Sequence, residues 1–510
     1  MRNKYDPFVN TLALLYGLIP ITIFFIGWLR PTISIPATLV VGYSAFVYTK
    51  RADQSGAVSN LTINWLKTGL IALLGFAWVY CSGIGGYTNQ DWDHHGRNAI
   101  FYDLITFDWP IYYDFSADYH FRELAGKHSS LNYYFTFWLP AACVGKLFGH
   151  KAGGDFLLLW SYIGILLSFY YLNRLFEFKY SLICVGLFIF WSGFDLLGYL
   201  LIRQTLPPID ALSETYYYYF YTSFTADLFN PFNQAIPAWL FILYVLNAGK
   251  KIQVFPVVIL FAYSPFVFIG LVLAHGLHYV FTTYRPDKKL LDYGHEFGQA
   301  IWRPDLIGAL LILVSYGLFY QAHSGSVQNT SFWDRYLTRG PRLNTLLVIS
   351  YFVTFFLEVG IYLSFIYFLA RRTYETNKLW FWLIFSVLLV LPLWIIGTYN
   401  DLASRGSMPF LTVLLILMLK ALIELYETRS RRPLFYAVVL VLLISFQTPV
   451  YSLIRSLSFT DKPRILNGVG SLADPKIDEL HDPDNMLSSV NNFYSHEPQH
   501  YIFYRYLAKQ

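Results

Sequence analysis

Two carboxylates and two imidazoles stand together at Asp91, Asp93, His94 and His95, inside residues 85–98, directly after an apolar stretch. Side chains of these types within one short segment can supply a general base, a metal site, or both. A helix-capping turn is the competing reading, with Asp93 opening a helical stretch from His94 to Ile105. The surrounding segment is dense in aromatic residues rather than in Ser and Gly, which favours a chemical role for Asp91. No metal is assigned to the group.

Further polar residues interrupt apolar surroundings. Asp195 lies in Phe190–Gly198, near the end of an apolar run, and an ionisable group there is costly unless it lines a wet cavity or meets a cation such as Arg203. Glu358 falls near the middle of a long apolar run, where a carboxyl reads as functional or as a buried hydrogen-bonding group. Glu214 and Gln234 lie beside Pro207, Pro208, Pro231 and Pro237, where they can bind sugar hydroxyls or serve loop structure. Arg405 follows Asn400 and Asp401 and precedes Pro409; a planar guanidinium suits a phosphate, with an Asp401 ion pair as the rival. Lys420 and Glu424, at i,i+4, are expected to pair with each other. His275 and His278 read as core polar residues. The tyrosines Tyr216 to Tyr219 read as interfacial anchors, with a sugar- or lipid-stacking platform as the alternative.

The elements that must position these groups follow from composition. The chain has 510 residues, 55% hydrophobic and 20% aromatic, and only 14% charged. Soluble proteins carry about a quarter charged residues, so the chain belongs in a bilayer. The net charge of +5 is spread in short clusters, which excludes a nucleic-acid face. Three cysteines far apart, with no CxxC pair, imply neither a disulfide framework nor a metal cluster. A span needs about 20 apolar residues, and about thirteen are expected: 9–29, 33–49, 66–86, 155–174, 180–200, 234–248, 252–264, 265–283, 304–322, 343–370, 379–397, 409–426 and 433–455.

Lys and Arg in the short connectors all fall on one side when the N-terminus is cytoplasmic, so the C-terminus is expected outside. Segments 87–154, 201–233, 323–342 and the tail from about 456 then face outward and hold most of the acids. Leu131–Phe148 is placed as a juxtamembrane helix in the outer interface. The expected organisation is an N-terminal pair of helices (1–65), a core module (66–283) with outer loops 87–154 and 201–233, a second helical module (284–455) and an extracytoplasmic tail (456–510). The fold class is an all-α polytopic membrane bundle in a plasma membrane.

This order of parts over residues 60–420 resembles the GT-C superfamily of membrane glycosyltransferases, which take a sugar from a polyprenyl-phosphate carrier. The carrying features are the acidic outer loop after a span, Leu131–Gly149 followed by a helix ending Leu172–Phe176 with Arg174, the acid at Asp195, and Arg405 followed by Pro409. Two extra helices before the acidic loop and the absence of a large soluble domain after 455 depart from the pattern. The resemblance implies an inverting transfer of sugar to a glycan, lipid or protein acceptor, without nucleic acid and with a divalent cation optional. It implies Asp91 as base with Asp93 second, Asp195 as a further acid and Arg405 in the element before a late helix; His94, His95, Arg97, Glu214, Gln234 and Glu358 join Arg405 as expected substrate contacts from their residue types and placement. A polysaccharide polymerase or ligase, which would use cations such as Arg97, Arg203 and Arg335, is one rival. A lipid-linked sugar transporter or flippase is the other.

Overall fold

A computed structural model describes residues 5–52, 64–90, 92–119, 124–206, 217–249, 252–284, 298–299, 301–324, 329–337, 340–397, 400–458, 470–474 and 493–509. Long apolar runs have no polar partner in lipid for their backbone N–H and C=O groups, so they close those bonds within helices. Among the described residues, six helices are long and apolar enough to cross a membrane: Pro7–Trp28, Pro31–Lys50, His150–Arg174, Pro265–Thr283, Pro341–Leu369 and Asp401–Glu427. Arg429–Ser445 and Gln447–Ser458, bent by 44° at Phe446, make a seventh if taken as one span. The expected thirteen is not reached by this measure. Trp65–Tyr80, Phe232–Asn247, Asp305–Gln321 and Lys378–Leu393 are shorter apolar helices, and the expected spans 180–200 and 252–264 are broken into helices of nine residues or fewer.

Two helices form the centre. Met408–Glu427 buries nearly every residue on all faces as far as Leu419, and Phe232–Asn247 is buried without interruption from Phe232 to Val245. A helix apolar all round belongs in a core rather than at a surface, and these two pack against each other. Trp239 stacks on Trp78 (ring centroids 5.7 Å) and meets Phe188 edge-on at 5.2 Å, joining the centre to the helices Trp65–Tyr80 and Ser181–Ile189.

At one end of the bundle the first long loop is ordered by short strands, which an all-α expectation missed. β1 (Tyr112–Asp114), β2 (His128–Leu131) and β5 (Tyr494–His496) form an antiparallel sheet in the order β1-β2-β5. β3 (Asn329–Ser331) pairs with β4 (Trp394–Ile396) in a second, two-stranded sheet. Strands of three or four residues are too short to leave a period-two signal in the sequence. The described residues of the tail are docked: beyond β5, Arg30 Nε and Nη2 donate to the carbonyls of Ala508 and Arg505, both at 2.9 Å. The expected juxtamembrane helix is confined to Leu139–Phe148, after a turn of 3-10 helix at Thr136–Trp138, and it folds back on His150–Arg174 through Gly149. Gly149 has φ +89°, a region open to glycine at little cost.

The opposite end gathers basic residues. There Glu424 does not pair with Lys420. Its carboxylate accepts from the backbone N–H of Thr373 (2.7 Å) and Arg372 (3.1 Å), capping the helix Arg371–Thr376, while Lys420 donates to Asn377 at 3.1 Å. Free backbone N–H groups at a helix start outcompete a neighbouring ammonium for the carboxylate. His275 accepts from the Gln253 backbone N–H at 3.3 Å, and His278 stacks on Trp380 at 4.3 Å, which agrees with a packing role for both.

The approach of Pro265–Thr283 to the turn Asp401–Gly406 depends on glycine, because a methyl group on Gly270 would run into the carbonyl oxygen of Gly406. Overpacking of this kind costs about 1–3 kcal/mol. Gly270→Ala is expected to lower the thermal unfolding midpoint of the detergent-solubilised protein. Gly276→Ala, on the same helix with no atom within 4 Å of the added methyl, is expected to leave it unchanged.

Candidate functional site

Each central helix begins at the same end of the bundle with a run of polar residues, and Arg405 of one run acts electrostatically on Asp227 of the other. Ahead of Met408–Glu427 comes the short helix Asp401–Gly406, started by Asn400 in a left-handed conformation (φ 56°) whose Oδ1 accepts from the Ala403 backbone N–H. One turn on, Arg405 Nη2 lies 3.8 Å from Asp401 Oδ1. The Arg405 side chain is only 15% exposed, and its Nε has no hydrogen-bond acceptor among the described residues. The Asp401 rival reading is therefore met in part: the pair exists, but it is long and leaves donors over.

Ahead of Phe232–Asn247 comes the helix Phe224–Phe229, N-capped by Ser223 Oγ, which accepts from the Ala226 backbone N–H at 3.2 Å. It carries Asp227, which is fully buried. Burial pushes its carboxyl well above the ordinary carboxylate range, and the positive charge of Arg405 acts in the opposite direction. The Thr222 hydroxyl lies beside the Asp227 carboxyl and hydrogen-bonds it, and no other hydrogen-bond partner of Asp227 is found among the described residues. Asn233 is buried, donates from Nδ2 to the Tyr134 carbonyl at 3.1 Å, and leaves Oδ1 unmet among the described residues. The Tyr134 ring lies within the electrostatic reach of both Asp401 and Arg405.

The acidic loop is tied to this place. Asp91 lies outside the described residues, and the helix Trp92–Thr106 begins at the next position with Asp93 in its first turn. From that helix His94 Nε2 donates to the Phe229 carbonyl at 2.7 Å, and Arg97 Nη1 donates to the Asn230 carbonyl. His94 and Arg97 are both buried, so these expected substrate contacts act as clamps on the turn between the helices Phe224–Phe229 and Phe232–Asn247. His95 is partly exposed. Gln234, an expected sugar contact, accepts through Oε1 from Ser264 Oγ at 2.7 Å and serves to join two helices. Glu214 lies outside the described residues.

Asp195 and Glu358 come together elsewhere. Asp195 does not pair with Arg203: its Oδ2 accepts from Ser192 Oγ (2.9 Å) and Thr448 Oγ1 (2.7 Å), and its carboxyl hydrogen-bonds that of Glu358. Three helix interruptions meet there: the non-helical stretch before Asp195, the π turn Phe356–Gly360 around Glu358, and the bend at Phe446 before Thr448. Gly193 makes the space, since a methyl group on it would collide with the Glu358 carboxyl. Two carboxyls in hydrogen-bond contact must share a proton.

Within the tyrosine run, Tyr217 and Tyr219 are neither surface anchors nor a platform. Tyr217 donates to the Leu347 carbonyl at 2.7 Å and Tyr219 to that of Tyr351 at 2.8 Å, and both rings are buried struts against the helix Pro341–Phe355. Tyr216 lies outside the described residues, while Tyr218 is partly exposed and stacks on Tyr336 at 4.2 Å. Among the described residues, no group of three or more His, Cys, Asp or Glu side chains is placed to hold a metal. Sequence reasoning missed Asp227; the available signal was an isolated acid flanked by Phe224 and Phe229 within an aromatic run. No family model, curated protein or solved structure matches the chain.

A second missed acid, Asp103, holds the loop to the tail. Its Oδ2 accepts from Tyr113 Oη (2.6 Å) and from the Leu472 backbone N–H (3.0 Å), and burial raises its carboxyl to about 6. On β5, His496 Nδ1 meets Ser129 Oγ at 2.9 Å, and burial, aided by Lys127 and His323 and opposed by Glu497, lowers its imidazole to about 4. Asp103 binds its proton more readily in the folded chain, so its contribution to docking falls as pH rises from about 4 to about 6. His496 binds a proton less readily when folded, so its contribution falls as pH drops from about 6.5 to about 4. The two offset each other. Asp103→Asn is expected to make residues 493–509 exchange amide hydrogens faster at pH 5 than at pH 7 after correction for intrinsic rates. His496→Asn is expected to reverse that order.

Proposed function

We propose that the chain is a membrane glycosyltransferase of GT-C type that moves a sugar from a polyprenyl phosphate to an acceptor hydroxyl on the extracytoplasmic face. The observation that carries this reading is Arg405: a nearly buried guanidinium at the head of a central helix, with a donor unmet among the described residues. A planar cation with spare donors, at the end of a bundle whose flanks are apolar, suits the phosphate of a lipid whose tail lies along those flanks. The loop that holds Asp91 is clamped through His94 and Arg97 to the turn just beyond Asp227, which supports a carboxylate near that phosphate. On this reading the loop end faces outward, the basic end lies in the cytoplasm, and thirteen passes result when the shorter and broken apolar helices are counted as spans.

The acceptor oxygen attacks the anomeric carbon while the bond from that carbon to the carrier phosphate oxygen breaks, its electron pair staying with the phosphate. The acceptor proton passes to a carboxylate, for which Asp91 is the candidate with Asp93 second. Arg405 stabilises the charge left on the phosphate. His95 and Glu214 are retained as contacts to the sugar or the acceptor.

Transport of a lipid-linked sugar is the second reading, favoured by the shared proton of Asp195 and Glu358 at three interrupted helices, since broken helices around a polar site are a transporter feature. Transfer of radiolabelled sugar from polyprenyl-phosphate glucose, mannose or arabinose separates the two when purified protein is given membrane acceptors. The enzyme reading expects a labelled product whose rate falls on the order of 10²–10³-fold in Arg405→Ala and in Asp91→Asn. Sugar that crosses vesicles unmodified would overturn it, and a full rate in Asp91→Asn would remove Asp91 as the base.

A further inference from the structure

At the basic end of the bundle, cations are gathered around a cavity. Arg371, Arg372 and Arg431 line a space of about 550 Å³ together with Glu424, Glu427 and Thr428. It lies where Ile361–Leu369, Arg371–Thr376 and Met408–Glu427 meet the turn Arg429–Arg431. Cavities that hold a small molecule run to roughly 300–1,000 Å³, so a ligand fits. Both acids are spent on other donors. Glu424 accepts from the backbone N–H groups of Arg372 and Thr373 and from Thr373 Oγ1 at 2.7 Å, and Glu427 Oε1 accepts from Tyr180 Oη at 2.6 Å. The arginines are less completely used. Arg431 Nη1 donates to the Leu369 carbonyl at 3.0 Å and stands 3.9 Å from Glu424 Oε1, while Arg371 pairs with Glu375 and lies over the ring of Tyr374 at 4.9 Å. The guanidinium of Arg372 has no hydrogen bond or ion pair among the described residues.

We propose that this cavity binds the phosphate headgroup of an anionic phospholipid, such as phosphatidylglycerol, from the membrane leaflet at the basic end. A guanidinium presents two parallel N–H donors to a phosphate, and Arg372 has all of its donors to give. Basic pockets between spanning helices on the cytoplasmic side suit acidic lipid headgroups. A lipid, rather than a soluble phosphate, follows from what adjoins the cavity. Tyr367 and Tyr426 are exposed rings, and Phe368 beside them is 75% exposed. The guanidinium of Arg371 lies over Tyr367 at 5.6 Å and that of Arg432 over Tyr426 at 5.3 Å. Exposed aromatic rings topped by cations belong at headgroup depth, with apolar surface next to them for acyl chains. Orienting a chain in the membrane calls for basic residues on this side, but not for a cavity whose acids have turned to other donors. Such a site lies at the far end of Met408–Glu427 from Arg405. It requires only that the bundle span a bilayer, and it is independent of sugar transfer.

The test measures lipid retained by the full-length protein in native mass spectrometry, after equilibration in micelles with equal amounts of phosphatidylglycerol and phosphatidylcholine of the same acyl chains. Both lipids carry a phosphate, and only the first carries net negative charge. The wild type is expected to retain phosphatidylglycerol in preference, by roughly tenfold or more. Arg372→Gln removes the guanidinium and keeps the backbone N–H that Glu424 accepts from. It is expected to lower the preference about fivefold, and Arg372→Gln combined with Arg431→Gln to abolish it. Lys50→Gln, which removes a cation from another connector expected at the same face, is expected to leave it unchanged. The readout involves no sugar transfer, so this site and the glycosyltransferase reading can each fail alone. The site is overturned if phosphatidylcholine is retained equally well, or if the double variant keeps the preference. It is also overturned if Lys50→Gln lowers the preference as much as Arg372→Gln, the mark of diffuse attraction, or if glycerol 1-phosphate displaces the lipid at equal concentration, the mark of a soluble-phosphate site.

Discussion

A guanidinium cannot be taken out of water without partners for its charge and its donors, and the rest of this fold can be read as the consequence of placing Arg405 at the head of a central, buried helix. Asp401 gives it one partial counter-charge at 3.8 Å, and Asp227 gives a second electrostatic partner from a neighbouring helix start. Burial drives the Asp227 carboxyl toward its neutral form and Arg405 opposes that, so removing Arg405 takes away the cation that favours the charged form. Two central helices are thereby tied at one end by charge, while their apolar sides are tied by packing throughout.

Everything else at that end holds the two helix starts in register. Gly270 lets one helix touch the backbone of the Arg405 turn, Ser264 and Gln234 join the second central helix to its neighbour, and His94 with Arg97 bring the acidic loop onto the turn after Asp227. The loop is itself held from behind by the docked tail, through Asp103 and β5. A chain of contacts therefore runs from the last residues of the protein to the segment that holds Asp91. The same principle governs Asp195 and Glu358, where two carboxyls in an apolar setting satisfy each other through one proton rather than through a cation.

Much of the bundle was legible in sequence because apolar runs in a charge-poor chain admit few alternatives. The helices around 9–29, 155–174 and 409–426 lie where uninterrupted apolarity places them. Breaks were harder to see: 180–200 reads as one run, yet Trp191 to Phe194 leave the helix, because Gly193 must give room to a side chain 165 positions later in the chain. Of the site, Arg405 was visible as a lone cation before Pro409, and Glu358 and Asp195 as acids in apolar settings. Their mutual pairing was not, nor was the docking of the tail, because both join segments far apart in sequence. His94 and Arg97 were legible as important and misread in kind: their donors face backbone carbonyls, which no pattern of residue types reveals.

The central claim is that the phosphate of a lipid carrier is held at Arg405. A cryo-EM map of the full-length protein with polyprenyl phosphate bound tests it most directly. The account predicts phosphate density within hydrogen-bonding distance of the Arg405 guanidinium, with the prenyl chain running down the apolar flank of the bundle. Ordered lipid phosphate at another place, with the space beside Arg405 filled only by water, would contradict it.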